Sequence, residues 1–190
     1  SISGDIKISQ RDTNLLENLF IVNDNDGLSF KLNAAKIAGN FKFSLSSESK
    51  SPNYNPNDLG VNFARNNRTH SINLQYNKYN PFWILNSNYN SFNFSLEQDY
   101  TTNELLKKKY NGKFLFIRPS FNAFSISISS QINDGIDLFE SRVPGQNFIT
   151  PEYYYNGIGL SSDYRKSFAL DANIGYGKGY FTDYIVNQYI

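Results

Sequence analysis

Strict alternation of apolar and polar side chains over short stretches constrains this chain more than any other feature. In the run FALDANIGYG, Phe168, Leu170, Ala172, Ile174 and Tyr176 fall on one side, and Ala169, Asp171, Asn173, Gly175 and Gly177 on the other. Successive side chains of a β-strand point to opposite faces, so the run predicts a strand with one greasy face and one polar or small face. The stretch before it repeats the pattern, with Tyr154, Ile158 and Leu160 against Gly157, Gly159 and Ser161. A short charged turn at 164–167 joins the two arms into a hairpin.

The same unit recurs upstream. Leu28, Phe30, Leu32 and Ala34 alternate with Ser29, Lys31 and Asn33, and after the turn at 38–40 Phe41, Phe43 and Leu45 alternate with Lys42, Ser44 and Ser46. Ile72, Leu74 and Tyr76 oppose Ser71, Asn73, Gln75 and Asn77. Beyond Asn80-Pro81 come Trp83, Leu85 and Tyr89, after which the phase changes to Phe92, Phe94 and Leu96; a one-residue slip of this kind predicts a β-bulge. Phe114 and Phe116 mark a fifth strand, and Phe124, Ile126 and Ile128 against Ser125, Ser127 and Ser129 a sixth. Nearer the N-terminus, GDIKISQ and LLENLFIV are β-prone, and 14–22 also carries i, i+3, i+4 apolar spacing open to a helical reading.

The connections set the topology. Short turns at 38–40, 80–82, 119–122 and 165–167 alternate with longer polar stretches at 49–68, 98–106 and 133–152. In an up-and-down meander alternate connections lie at the same end, which is the layout of a transmembrane barrel with short turns at one rim and long loops at the other. A Greek-key sandwich has no reason for such alternation. The expected fold is therefore all-β: an antiparallel up-and-down transmembrane β-barrel, or a segment of a larger one, with about 8–10 strands in this chain. Residues 1–190 are read as one barrel domain, incomplete within this chain, whose regular meander runs over 27–180.

Composition agrees with alternate-residue burial. Mean hydropathy is −0.50 and 39% of residues are hydrophobic, yet 16% are aromatic, and there are 27 Asn. Disordered chains are poor in aromatics, so the polarity does not signal disorder. A net charge of +1 with both signs interspersed leaves no basic stripe, and a nucleic-acid partner is not expected. Cys is absent, which removes disulfides and thiolate metal sites. Met is also absent and the first residues carry no export signal, as in a processed or partial chain.

With lipid outside, the lipid-facing set is Phe41, Phe43, Leu45, Ile72, Leu74, Phe114, Phe116, Phe124, Ile126, Ile128, Phe168, Leu170 and Ile174. Asn73, Gln75, Asp171 and Asn173 face the lumen, and Tyr79, Trp83, Tyr153 and Tyr176 serve as interface aromatics. Amphipathic rings suit headgroup depth, and barrels carry girdles of them.

Chemistry is sparse. His70 is the single histidine, so a His-based metal cluster has no ligands and a Ser-His-Asp arrangement would have to use it; an exposed rim residue is the simpler reading. The run 23–27 is acidic, but Val22 and Asn33 stand where an EF-hand needs its first ligand and its Glu, so a turn is expected. Glu97 and Asp99 share a strand face and form the one carboxylate pair to weigh for acid–base work, with solvated rim charges as the plainer assignment. Lys107-Lys108-Lys109 is a rim run able to meet anionic lipid or phosphate, or simply solvent. Gly157, Gly159, Gly175, Gly177 and Gly179 precede no helix and mark close packing on strands. No cofactor, metal site or catalytic constellation is predicted.

Several short motifs between the strands carry a resemblance. NPNDLGVNFARNN over 55–67, RVPG over 142–145, Pro151 and SDYRK over 162–166 resemble, in this order, the barrel region of an uncharacterised outer-membrane family of Bacteroidota. Members of that family pair an N-terminal carbohydrate-binding (family 9-like) β-sandwich with a large barrel. The resemblance implies that this chain supplies part of a barrel larger than eight strands, and that any sugar-related function rests on residues outside it. The expected function is a bacterial outer-membrane β-barrel protein with a transport, assembly or scaffold role, alone or as a subunit of an outer-membrane complex. Its expected partners are outer-membrane lipid, lipopolysaccharide and other outer-membrane proteins. The alternative is a soluble secreted adhesin or carbohydrate-binding protein that keeps the Phe/Leu/Ile face as its core and uses Tyr-rich loops for ligands.

Overall fold

The computed structural model describes residues 1–9, 27–54, 65–138, 147–179 and 183–189. The strands are β1 (Ile2–Ser9), β2 (Gly27–Lys36), β3 (Phe41–Lys50), β4 (Asn67–Lys78), β5 (Ser87–Asp99), β6 (Leu105–Ile117), β7 (Ala123–Gln131), β8 (Gly135–Asp137), β9 (Phe148–Thr150), β10 (Tyr153–Ser161), β11 (Asp171–Gly179) and β12 (Asp183–Tyr189). Ten of them form one antiparallel sheet in the order β1-β2-β3-β4-β5-β6-β7-β10-β11-β12, while β8 and β9 form a separate hairpin. Chain order and sheet order coincide, as expected of a meander. The edge strands β1 and β12 do not pair with each other, so the sheet is open.

The register aligns like faces across the strands, with Asn90 (between Tyr76 and Phe114) and Asn156 (between Ile128 and Tyr176) interrupting the apolar one. Phe43, Leu74, Phe92 and Gly112 stand opposite one another in turn, followed by Ile128. A parallel row runs Phe114, Ile126, Ile158, Ile174. Stacked pairs Phe92–Tyr110 (ring centroids 6.2 Å apart) and Phe116–Phe124 (6.3 Å) reinforce this apolar face, since cross-strand aromatic pairs stabilise sheets.

No conventional core lies beneath it. Among the described residues only Tyr54 and Leu106 are buried hydrophobics, whereas Leu160 is 57% exposed, Ile174 56% and Ile158 47%. Exposure along β10 alternates in the opposite sense to a soluble sheet: Gly157 and Gly159 are buried, while Ile158 and Leu160 are exposed. In β4, Ile72, Leu74 and Tyr76 are likewise more exposed than Asn73, Gln75 and Asn77. Along β4 and β10 the sheet shelters its polar side, whereas in β6 Asn111 and Lys113 are exposed and Phe114 and Phe116 half-buried.

Several sequence expectations change. β5 pairs with β4 without interruption from Lys78↔Asn88 to Asn67↔Asp99, so there is no bulge near Tyr89. Tyr89 lies opposite Asn77, on the polar face, and the one register shift in β5 falls at Glu97/Gln98. Trp83 and Leu85 belong to a tight turn closed by reciprocal Phe82–Leu85 backbone hydrogen bonds of 2.9 Å, with Trp83 at φ 48°. The last hairpin turn is longer than 164–167: β10 ends at Ser161 and β11 starts at Asp171, so Phe168 and Leu170 leave the strand. The cause is local, because the Asp163 carboxylate accepts the Arg165 amide and curls the chain into a turn of its own. Conversely 100–104 is a compact connection, so loop length does not alternate throughout. The connection after β7 carries the β8–β9 hairpin, which the periodicity did not signal. The helical reading of 14–22, the acidic run 23–26 and most of the motif residues at 55–64 and 142–145 lie outside the described residues.

Candidate functional site

The polar face is a field of amides and hydroxyls. Across its middle Ser44, Asn73, Asn93, Asn111, Ser129 and Tyr155 stand opposite one another in succession, and the Ser129 hydroxyl donates to Asn111 Oδ1 at 2.7 Å. One hollow of about 310 Å³ is lined by Lys42, Ser44, Asn73 and Gln75, and a second of about 230 Å³ by Ser125, Ser161, Asp171 and Asn173. Asn73 Oδ1 and Asp171 Oδ1, on residues that line these hollows, are buried and accept no hydrogen bond from the protein.

Tyr155 lies against a glycine floor. A Cβ on Gly175 would strike its ring at Cε2 (2.7 Å) and Cζ (2.8 Å), and one on Gly157 would come within 2.8 Å of its hydroxyl. The glycines therefore give the ring room to lie close to the backbone of β10 and β11. The four residues expected in a lumen, Asn73, Gln75, Asp171 and Asn173, all fall on this face.

At the end of the sheet where β3 and β5 finish, a hydrogen-bonded knot joins two connections. Asp99 accepts the amides of Thr101 and Thr102 (2.7 Å each) through Oδ1 and Asn66 Nδ2 (2.7 Å) through Oδ2. Asn67 Nδ2 donates to Glu97 Oε1 at 2.9 Å, and Arg68, stacked 4.5 Å above the Tyr100 ring, donates to Asn103 Oδ1. Asn66 and Asn103 take positive φ, a conformation asparagine tolerates. The Glu97–Asp99 pair is thus engaged in tying 65–66 to 100–104.

The opposite rim has a knot of its own. Asp163 and Arg165 form a two-pronged ion pair (2.8 Å on each prong), and the guanidinium carbon lies 3.5 Å from the Phe121 ring centroid in the neighbouring turn. The Arg165 side-chain hydrogen bond lowers the Asp163 carboxyl to about 2, and the same pairing raises Arg165.

The sequence model of a family described as a domain of unknown function, DUF5916, matches residues 1–185. The chain belongs to this family. No curated protein and no solved structure matches it.

Within this DUF5916 chain the expected lipid-facing residues separate into two groups. Phe41, Phe43, Leu45, Ile72, Leu74, Phe114, Phe116, Phe124, Ile126, Ile128 and Ile174 share the apolar face by register. Phe168 and Leu170 sit in the turn 162–170, where Leu170 still bonds to Ser162. Among the interface aromatics, Tyr176 is on the apolar face, 5.8 Å from Tyr154 between ring centroids. Trp83 tips the 79–86 turn and is 89% exposed, and Tyr79 packs edge-on to Tyr89 at 5.6 Å. Tyr153 begins β10 and stands opposite Gln131 and Gly179, on the polar face, while Tyr154 falls on the apolar face with Ile158 and Leu160.

Of the lysine run, Lys107 binds Asp137 at 2.6 Å and fastens the β8–β9 hairpin, while Lys108 and Lys109 face opposite sides. Gln131, almost fully buried, holds the same hairpin through donations to Thr150 and Pro151. His70 is exposed on the apolar face, opposite Ser47 and Leu96. Among the described residues no group of His, Cys, Asp and Glu is placed to hold a metal ion. The Asn66–Asp99 knot was not foreseen; it joins residues 33 apart in sequence, and only the spacing of Asp99 to Thr101-Thr102 hinted at a capped turn.

Proposed function

We propose that this chain forms part of the wall of an outer-membrane β-barrel in a Bacteroidota bacterium, with the Phe/Leu/Ile face in lipid and the Asn/Ser/Gly face toward an aqueous interior. The single observation that carries the reading is the inverted exposure along β4 and β10, where the apolar alternate residues lie outward and their polar or glycine neighbours are sheltered. A soluble sheet protein puts these the other way round. An adhesin or carbohydrate-binding protein would need the Phe/Leu/Ile face as its core, and no element covers that face among the described residues.

The mechanism is positional. A strand wall satisfies its backbone groups within the sheet, the condition for spanning lipid. In a bilayer the unpaired edges of β1 and β12 cannot face hydrocarbon, so they bond to one another or to further strands of the same or another outer-membrane protein. The interior row of amides and hydroxyls gives that side the polarity of a water-filled path, suited to transport or scaffold duty. No catalytic step is assigned; among the described residues the Glu97–Asp99 pair is engaged in structural hydrogen bonds.

The test is fractionation of the full-length protein. Extraction only by detergent, flotation with vesicles and heat-modifiable gel mobility are expected. Clean extraction into buffer as a monomer would remove the proposal.

A further inference from the structure

We propose that a cleft at the β7–β10–β11 rim binds the phosphorylated sugar headgroup of an outer-membrane glycolipid, whose acyl chains lie along the adjoining apolar rows. The proposal rests on the membrane reading above and names a lipid partner for it.

The cleft, about 600 Å³, has Tyr110, Ser130, Asn133, Glu152, Tyr154 and Lys178 in its lining, with Ile132 and Tyr153 beside them. That volume lies within the ordinary range of small-ligand pockets, roughly 300–1,000 Å³. Tyr110, Ser130, Tyr154 and Lys178 stand opposite one another on four adjacent strands, in the row that continues Leu45, Ile72 and Phe94. The row thus passes from aliphatic and phenyl groups into phenols, a hydroxyl and an ammonium group. It does so at the end where β7 stops and the long connection 132–152 begins.

This chemistry selects the ligand. Lys178 supplies one cation for one phosphate. Glu152 keeps the cleft near neutrality, which disfavours a polyanion. The Tyr110 and Tyr154 rings offer apolar faces with polar tips, suited to a sugar ring at headgroup depth. Ser130, Asn133 and Glu152 provide partners for its hydroxyls. On the membrane side, the next row holds Ile128, Asn156 and Tyr176, and the one after it Ile126, Ile158 and Ile174. A soluble sugar phosphate would leave those rows bare, whereas an acylated one covers them.

The test uses the full-length protein in detergent micelles and native mass spectrometry. The added lipids are monophosphorylated lipid A, its dephosphorylated form and phosphatidylethanolamine, with heat-modifiable mobility confirming that each variant is folded. Wild type is expected to retain the phosphorylated glycolipid about tenfold over either other lipid, as a charge-assisted contact permits. Lys178→Gln should erase the preference for the phosphorylated form, and Tyr154→Ala should lower retention of both glycolipids. Equal retention of phosphatidylethanolamine, or an unchanged preference in Lys178→Gln, overturns the proposal while leaving the membrane reading intact. Failure of the wild type to float with vesicles overturns the membrane reading and this proposal with it.

Discussion

Replacing Ile158 by lysine separates a lipid-facing sheet from a water-facing one. Ile158 sits mid-row between Ile126 and Ile174 and is 47% exposed, so about half of its side chain packs on neighbours. Fully burying such a side chain is worth about 1.5–3 kcal/mol, so in water its loss costs about 1 kcal/mol, and less once the lysine stem covers the same neighbours. In lipid the ammonium group must also enter hydrocarbon, at about 2–4 kcal/mol near the midplane of a barrel. Asn93→Lys is the partner measurement, because Asn93 lies on the polar face between Asn73 and Asn111. The assay is reversible denaturant unfolding of the full-length protein in vesicles, followed by Trp83 fluorescence and gel mobility. Ile158→Lys is expected to cost at least 2 kcal/mol more than Asn93→Lys, by the same midplane penalty. Costs within about 0.5 kcal/mol of each other, the usual scatter of surface substitutions, would refute the assignment of faces.

Three further outcomes follow from particular contacts. Gly175→Val drives a side chain into the Tyr155 ring and is expected to lower stability by about 1–3 kcal/mol, with Tyr155→Ala in the same chain recovering part of the loss in a denaturant titration. Asp99→Ala strips acceptors from the Thr101 and Thr102 amides and Asn66 Nδ2, and about 1–3 kcal/mol of destabilisation is expected from the same titration. Asp163 has a carboxyl depressed to about 2, against about 3.9 in an unfolded chain, so its contribution is complete above about pH 4 and disappears as pH falls through about 2. A carboxyl carbon NMR titration should show the low midpoint in wild type and a return toward the ordinary carboxylate range in Arg165→Ala.

The sheet was legible because side-chain period is a local property. Ser71 to Asn77 or Phe124 to Ser129 state their faces residue by residue, and the meander order follows from the turns between them. The errors arose where the backbone departs from that period or where partners are distant. Phe168 and Leu170 continue the parity of Ile174 on paper, yet the Asp163–Arg165 turn removes them from β11. Tyr89 reads as a slip only if every aromatic is assigned to the apolar side; its pairing with Asn77 places it among the amides. Tyr153 and Tyr154 are chemically alike, but parity with Ile158 and Leu160 already puts Tyr154 on the apolar face, and the register against Ser130 agrees. The Asn66–Asp99 knot and the rim cleft each assemble residues from several strands, which no spacing along the chain announces.

The central claim, that the apolar face meets lipid and the polar face meets water, is tested most directly by a spin-label scan of β4. The chain has no cysteine, so single cysteines at 71–77 carry the label without a background. In vesicles, collision with oxygen should peak at 72, 74 and 76, and collision with a water-soluble nickel complex at 71, 73, 75 and 77. Oxygen and nickel accessibilities that rise together at 72, 74 and 76, or that are low for both probes there, would contradict it.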